Sequence, residues 1–367
     1  MKKKAPLSQL DVGFLALLLV LSALGLSVLW SACHDAGGDV APYAWKQLQW
    51  FLLAAAALAA VAAVDYRHLQ TYAVHGYVTL VVLLGAVLLV GKVSMGAQRW
   101  LALGPIRLQP SEFMKIGVAV MTANLLSRDT APPPYGLRSL WLPGLAAGVP
   151  TALILLQPDL GTALLVVAVA CAVVLFQGVQ WRLLAWAGGA FVAALPAAWA
   201  GLRDYQRLRI LTFLSPERDP MGAGYHIIQS KIAVGSGQFL GKGFLHSTQG
   251  RLQFLPERHT DFIFSVLAEE WGFLGSALVL LLYALLVLWG LDIAAKARDT
   301  FGRLLAVGVT SILFFHVVVN VGMVTGCLPV VGVPLPLFSY GGSSVLTTYL
   351  VAGILLNVRL RRFSRGL

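Results

Sequence analysis

Between Leu255 and Trp271 the chain reads LPERHTDFIFSVLAEEW, so that Glu257, Arg258, His259, Asp261 and Glu269 crowd the mouth of a long apolar run. Charges at the end of an apolar helix have an ordinary reading as interfacial anchors. Their chemical reading is that Asp261 is a base, held at a membrane surface at the N-terminal end of a helix and placed to accept a proton.

Other polar clusters stand at the starts of apolar runs. Gly96-Ala97-Gln98-Arg99-Trp100 precedes Gln109-Pro110-Ser111-Glu112-Phe113-Met114-Lys115; Gln157-Pro158-Asp159-Leu160-Gly161-Thr162 opens a later run; and GVPLPLFSYGGSS, Gly332 to Ser344, leads into the last one. Glu112 and Lys115 are three residues apart and can pair on one helix face. That pair has two readings, a self-neutralising anchor for its helix or a direct ligand contact. Gly341-Gly342-Ser343-Ser344 can form a backbone nest for phosphate oxygens, or Pro334 and Pro336 can simply bend the chain. Pro110 and Pro158 also suit plain helix starts.

The elements that must position these residues are membrane helices. Of 367 residues 58% are hydrophobic and 12% charged, where soluble domains carry about 25% charged residues. Runs of about 20 apolar residues predict ten spans near 11–31, 46–64, 72–91, 110–127, 140–156, 160–178, 182–200, 262–290, 303–325 and 341–358. The expected fold is an all-α polytopic membrane protein, a single integral domain over 1–367. Met1-Lys2-Lys3-Lys4 and the apolar stretch after it read as an uncleaved first helix.

Short connections on the side of the termini hold fourteen Lys and Arg residues, and those on the opposite side hold Lys46, Lys92, Arg99 and Arg107. The positive-inside rule therefore puts both termini in the cytoplasm. All the polar clusters then fall on the outer face. The segment 201–261 between helices seven and eight becomes a long extracytoplasmic loop, in which Tyr225, Ile228 and Ile232 beside Lys231 suggest a short amphipathic helix on the membrane.

Helix N-termini present unpaired N–H groups and the positive end of a dipole. Several on one face, with Arg99, Arg107, Lys115 and Lys231 nearby, suit a diphosphate, which implies an anionic, lipid-linked ligand. The net charge of +11 belongs with the Lys and Arg that flank the spans and not with nucleic acid. No nucleotide fingerprint occurs in the cytoplasmic connections. Cys33, Cys171 and Cys327 are widely spaced and frame neither a disulfide set nor a zinc site. A divalent cation beside the diphosphate has no assignable ligands, and no cofactor is evident.

GAQRW, QPSEFMK, LLQPDLGTA, LPERHTDFIFSVLAEEWGF and GVPLPLFSYGGSS, in this order from Gly96 onward, resemble the SEDS family (shape, elongation, division and sporulation). Arg258 and the wording from Gly322 onward lean toward its rod-shape branch. The resemblance implies a bacterial plasma-membrane peptidoglycan glycosyltransferase that polymerises lipid II, an undecaprenyl-diphosphate-linked disaccharide-pentapeptide, on the outer face. It implies a class B penicillin-binding protein as partner within the elongation machinery.

The family's essential aspartate falls on Asp261, its helix-four pair on Glu112 and Lys115, and its motif arginine on Arg99. The supporting set is completed by Lys231, Arg258 and Ser343. Converting an α-linked sugar diphosphate into a β-1,4 glycoside inverts the anomeric carbon, so one base and no nucleophile is required. The competing expectation is a lipid II flippase, which would place essential charges along the membrane depth. A non-enzymatic scaffold would leave Asp261 unexplained.

Overall fold

The computed structural model describes residues 11–34, 43–201 apart from 95–96 and 104–105, short pieces between 207 and 218, residues 223–248 and 255, and 257–362. All ten predicted runs are helices: α1 Val12–Ala32, α2 Tyr43–Ala63, α4 Ala73–Val90, α5 Pro110–Arg128, α6 Leu137–Leu156, α7 Leu160–Gln177, α8 Trp181–Gly201, α10 Ile263–Ala295, α11 Thr300–Val324 and α12 Gly342–Arg361. A one-turn helix, α3 (Arg67–Thr71), precedes α4, and α9 (Ala223–Ser236) lies in the long loop.

Among the described residues eight of these helices are long and apolar enough to cross a bilayer. The other two of the ten, α5 and α8, are opposite in burial. Helix α5 is enclosed by α4, α6, α7 and α11 and so faces protein, where polar side chains can be paired. Helix α8 is the reverse case, with none of its described side chains buried.

Aspartates set three helix starts, each accepting a backbone N–H of the first turn. Asp11 takes Phe14 N, Asp159 takes Thr162 N and Asp299 takes Gly302 N. At the end carrying the termini, Asp11 also receives Trp289 Nε1 at 2.7 Å and pairs with Arg359 at 2.6 Å, while Arg361 pairs with Asp65 at 3.5 Å. The first and last helices are thereby fixed to α10 and α2.

Two features of the side opposite the termini were not anticipated. Residues 92–108 form a three-stranded antiparallel sheet, β1 (Lys92–Ser94), β2 (Ala97–Leu103) and β3 (Ile106–Leu108), with Leu101 opposite Leu108 and Lys92 opposite Trp100. This sheet carries Arg99 and delivers the chain to α5.

The second is a break in α10. At about 1.5 Å per residue its 33 residues would run about 50 Å, beyond a hydrocarbon core of about 30 Å, and the helix breaks at Gly272 (φ 63°, ψ −161°). Freed backbone groups at the break are taken up by the strap 238–243. Phe273 N donates to Gln238 O at 2.9 Å, Leu274 N to Phe239 O, Lys242 N to Glu269 O and Gly243 N to Glu270 O.

The strap is anchored by Glu269, which is buried and accepts from Lys242 Nζ (2.6 Å), Ser247 Oγ (2.6 Å) and Thr248 Oγ1 (2.7 Å). A buried carboxylate with this many donors is satisfied as an anion. Helix α9 packs on α10 and α11, with Gly224, Ile227, Ser230 and Ala233 as its buried face. Ser230 Oγ bonds Val324 O and meets Ser265 Oγ. The Tyr225, Ile228 and Ile232 stripe lies on the half-buried to exposed side of this helix, because the residues three apart from Gly224 point at protein.

Candidate active site

Asp261 lies in the turn 257–262 that leads into α10. Glu257 starts the turn in a left-handed conformation (φ 54°) and its carbonyl accepts from Thr260 N and Phe262 N. The turn is pinned to the loop before α12. Tyr340 N donates to His259 O at 2.8 Å, Ser339 Oγ to Thr260 O at 2.6 Å, and Asn320 Nδ2 to Asp261 O at 2.9 Å. His259 stacks on Tyr43 with ring centroids 4.6 Å apart. Three consecutive carbonyls are thus held by three outside donors, which leaves Asp261 little backbone freedom.

The Asp261 carboxyl is pushed up to about 6, chiefly by burial and then by Glu257, with Arg99 opposing and Asp159 adding to the rise. The burial contribution leads because the charged form loses water in this enclosed position. The ring of His259, by contrast, is shifted down by burial, which keeps the neutral form.

Arg99, carried by β2, reaches across to the α6–α7 connection. Its guanidinium donates to Gln157 O and Pro158 O and lies 3.8 Å from the Asp159 carboxylate. Asp159 also accepts Gln109 Nε2 at 3.1 Å, and the backbone N of Gln109 donates to Ser343 Oγ at 3.2 Å. Arg99, Asp159, Gln109 and Ser343 therefore form one connected polar chain that joins the starts of α5, α7 and α12. The QPD, QPS and GGSS motifs, separated by up to about 230 residues in sequence, converge on it.

Glu112 and Lys115 do pair, at 2.7 Å, and Lys115 is entirely buried. They lie deeper along α5 than Gln109. The second partner of Lys115 is His316 Nε2 on α11, at 2.6 Å.

The remaining predicted residues are placed apart from this chain. Arg258 turns away to donate its Nε to Ala32 O at 2.8 Å, capping the C-terminal end of α1. Lys231 on α9 runs its aliphatic stem over Gly326, just beyond the end of α11.

Asp159, Gln109, Glu257, His316 and Asn320 belong to the site without having been assigned to it from sequence. Asp159 and Gln109 stand inside the two Gln-Pro motifs, a usable signal. His316 and Asn320 lie in an unbroken apolar run, where a polar residue is costly unless it is paired. Among the described residues no three His, Cys, Asp or Glu side chains are grouped to hold a metal ion.

Comparison with known proteins identifies the family. The family model for FtsW, RodA and SpoVE, described as a cell cycle protein, matches residues 11–363. The chain is 46% identical over 354 residues to the peptidoglycan glycosyltransferase MrdB of Escherichia coli (strain K12), covering 96% of this chain and 94% of that protein. It is 32% identical over 428 residues to the peptidoglycan glycosyltransferase RodA of Treponema pallidum, covering 97% and 98%.

Among solved structures it superposes with a TM-score of 0.83 on a chain of a peptidoglycan synthase complex that coordinates polymerization and crosslinking, at 35% identity over 97% of this chain and 99% of that one. The rod shape determining protein RodA of Thermus thermophilus matches with a TM-score of 0.72 at 32% identity, over 97% and 98%. With its motifs, its helices and nearly its whole length matched, this chain belongs to the SEDS family of FtsW, RodA and SpoVE cell cycle proteins.

Proposed function

We infer that this chain is a peptidoglycan glycosyltransferase of cell elongation, that it polymerises lipid II at the outer face of the bacterial plasma membrane with both termini in the cytoplasm, and that Asp261 is its general base. The observation that carries the reading is the convergence at Asp261. A carboxylate with a backbone fixed by Asn320 and its neighbours stands in the field of Arg99 and Asp159, where three helix starts meet.

In this reading the Asp261 carboxylate accepts the proton of the acceptor 4-hydroxyl as that oxygen attacks the donor's anomeric carbon from the face opposite the diphosphate. The C–O bond to phosphate breaks with its electron pair and undecaprenyl diphosphate departs as the anion. Arg99 and the N–H groups at the start of α12 face the developing negative charge. The Lys115–Glu112 pair lies in the floor of the site. Lys231 and Arg258 support the outer loop. The partner that fits the family is a class B penicillin-binding protein, which crosslinks the strands made here.

Glycan-chain formation from purified lipid II, by the purified protein with such a partner whose transpeptidase is disabled, tests the reading. Wild type makes polymer, and Asp261→Asn, equally folded and equally bound to partner, loses about 10²–10⁴-fold. Equal rates would remove Asp261 as base. Absence of polymer from both, with lipid II still bound, would favour transport of the lipid.

A further inference from the structure

Two residues one turn apart on α11 hold the two chemical groups of the site through a single loop. His316 and Asn320 are both buried. His316 Nδ1 lies 3.1 Å from Pro334 O, and its Nε2 lies 2.6 Å from Lys115 Nζ. A carbonyl only accepts, so Nδ1 carries the proton and donates to Pro334. Nε2 is left with a lone pair, which accepts from the Lys115 ammonium.

Asn320 divides its amide protons between Val333 O at 2.8 Å and Asp261 O at 2.9 Å. Residues i and i+4 of one helix therefore grip successive carbonyls of the loop before α12. Each then passes one contact onward, His316 to Lys115 and Asn320 to Asp261.

We propose that His316 and Asn320 are positioning residues for glycosyl transfer, which fix the Lys115 ammonium and the Asp261 carboxylate relative to each other by fixing both to the segment 333–334. The inference rests on the reading of Asp261 as general base. Its physical basis is that Lys115 is a point charge on a flexible four-carbon stem. With Glu112 alone it has one acceptor and can swing; with His316 its direction is set from two sides. Misplacement by about 1 Å can cost 10²-fold in rate.

Lipid II polymerisation with the partner described above, comparing His316→Leu, His316→Gln and Asn320→Ala with wild type and Asp261→Asn, tests it. His316→Leu is expected to lower kcat by about tenfold or more with KM changed less than about twofold. His316→Gln, whose side-chain oxygen can still accept from Lys115, should recover most of the loss. The double variant His316→Leu with Lys115→Met should be no slower than Lys115→Met alone.

A merely structural role would lower thermal stability in detergent and leave kcat per folded molecule unchanged. Wild-type kcat in His316→Leu and Asn320→Ala, with Asp261→Asn inactive, overturns the inference and leaves the base assignment standing. Losses that multiply in the double variant, or no recovery in His316→Gln, also overturn it. Inactive wild type overturns both.

Discussion

The Asp261 carboxylate lies against Gly332: a Cβ on Gly332 would stand 3.3 Å from Asp261 Oδ2, and Gly332 itself holds φ 71°. Any other residue at 332 meets two obstacles, a left-handed backbone costing about 1–3 kcal/mol and a methyl pressed on the base. Gly332→Ala should therefore fold with a lowered melting temperature and lose about tenfold in kcat. Polymerisation kinetics and a thermal scan in detergent separate the two effects. An unchanged kcat would mean that the carboxylate tolerates crowding on this side.

The same carboxylate predicts the pH dependence. Burial, then Glu257, raise the Asp261 carboxyl to about 6, and Arg99 pulls it down. A base must be ionised, so kcat/KM should rise as pH increases through about 6 and level off above it. Glu257→Gln removes a negative neighbour and should move the acid limb to lower pH; Arg99→Gln should move it to higher pH.

The stability effect of this group has the opposite sign. Because its folded value lies above the ordinary 3.8 of an aspartate, the native state keeps a proton that the unfolded chain has released. The contribution is full below the unfolded value and lost as pH rises through about 6. A pH–rate profile that stays flat from pH 5 to 8 would contradict the assignment.

Much of the site was legible because its signals are local. The i,i+3 spacing of Glu112 and Lys115 predicts their pair, and the 2.7 Å contact follows from helix geometry alone. Asp261 and Arg99 stand out as charges beside apolar runs. The partners reached across the fold were hidden: Gln109 meets Ser343 over 234 residues, and His316 and Asn320 take their roles from a loop that folds back onto α11. Arg258, expected in the supporting set, reaches Ala32 O at the end of α1, a partner that no local spacing announces. Hydropathy also concealed the break in α10, since the apolar run continues through Gly272 and only the backbone changes.

Glu112→Gln tests what the buried pair contributes. Removing one partner leaves Lys115 charged in a dry interior, which costs about 3–5 kcal/mol, so a marked drop in detergent melting temperature is expected. Replacing both, as Glu112→Leu with Lys115→Met, should restore most of the stability because no charge is left unpaired. If activity stays lost in this double variant, Lys115 is needed for the reaction; if activity returns with stability, the pair is an anchor for α5.

The break in α10 offers a test of how the strap 238–243 supports Asp261, eleven residues upstream of Gly272 in the chain. Gly272 holds a conformation open to glycine almost alone, and an added Cβ would run into the backbone of Leu240 and Gly241. Gly272→Ala should push the strap 238–243 off the helix. Amide hydrogen exchange at Lys242, Gly243, Phe273 and Leu274, each bonded across the break, should then accelerate by about tenfold or more, since about 1.4 kcal/mol of lost local stability suffices for that. Gly85→Ala is the control: nothing lies within 4 Å of an added Cβ there, and alanine should stabilise α4 by about 0.5–1 kcal/mol. If Gly272→Ala accelerates exchange and also lowers kcat, the strap holds the entry of α10 in its working position. Faster exchange with full activity would show that the turn 257–262 is held by Asn320, Ser339 and Tyr340 alone.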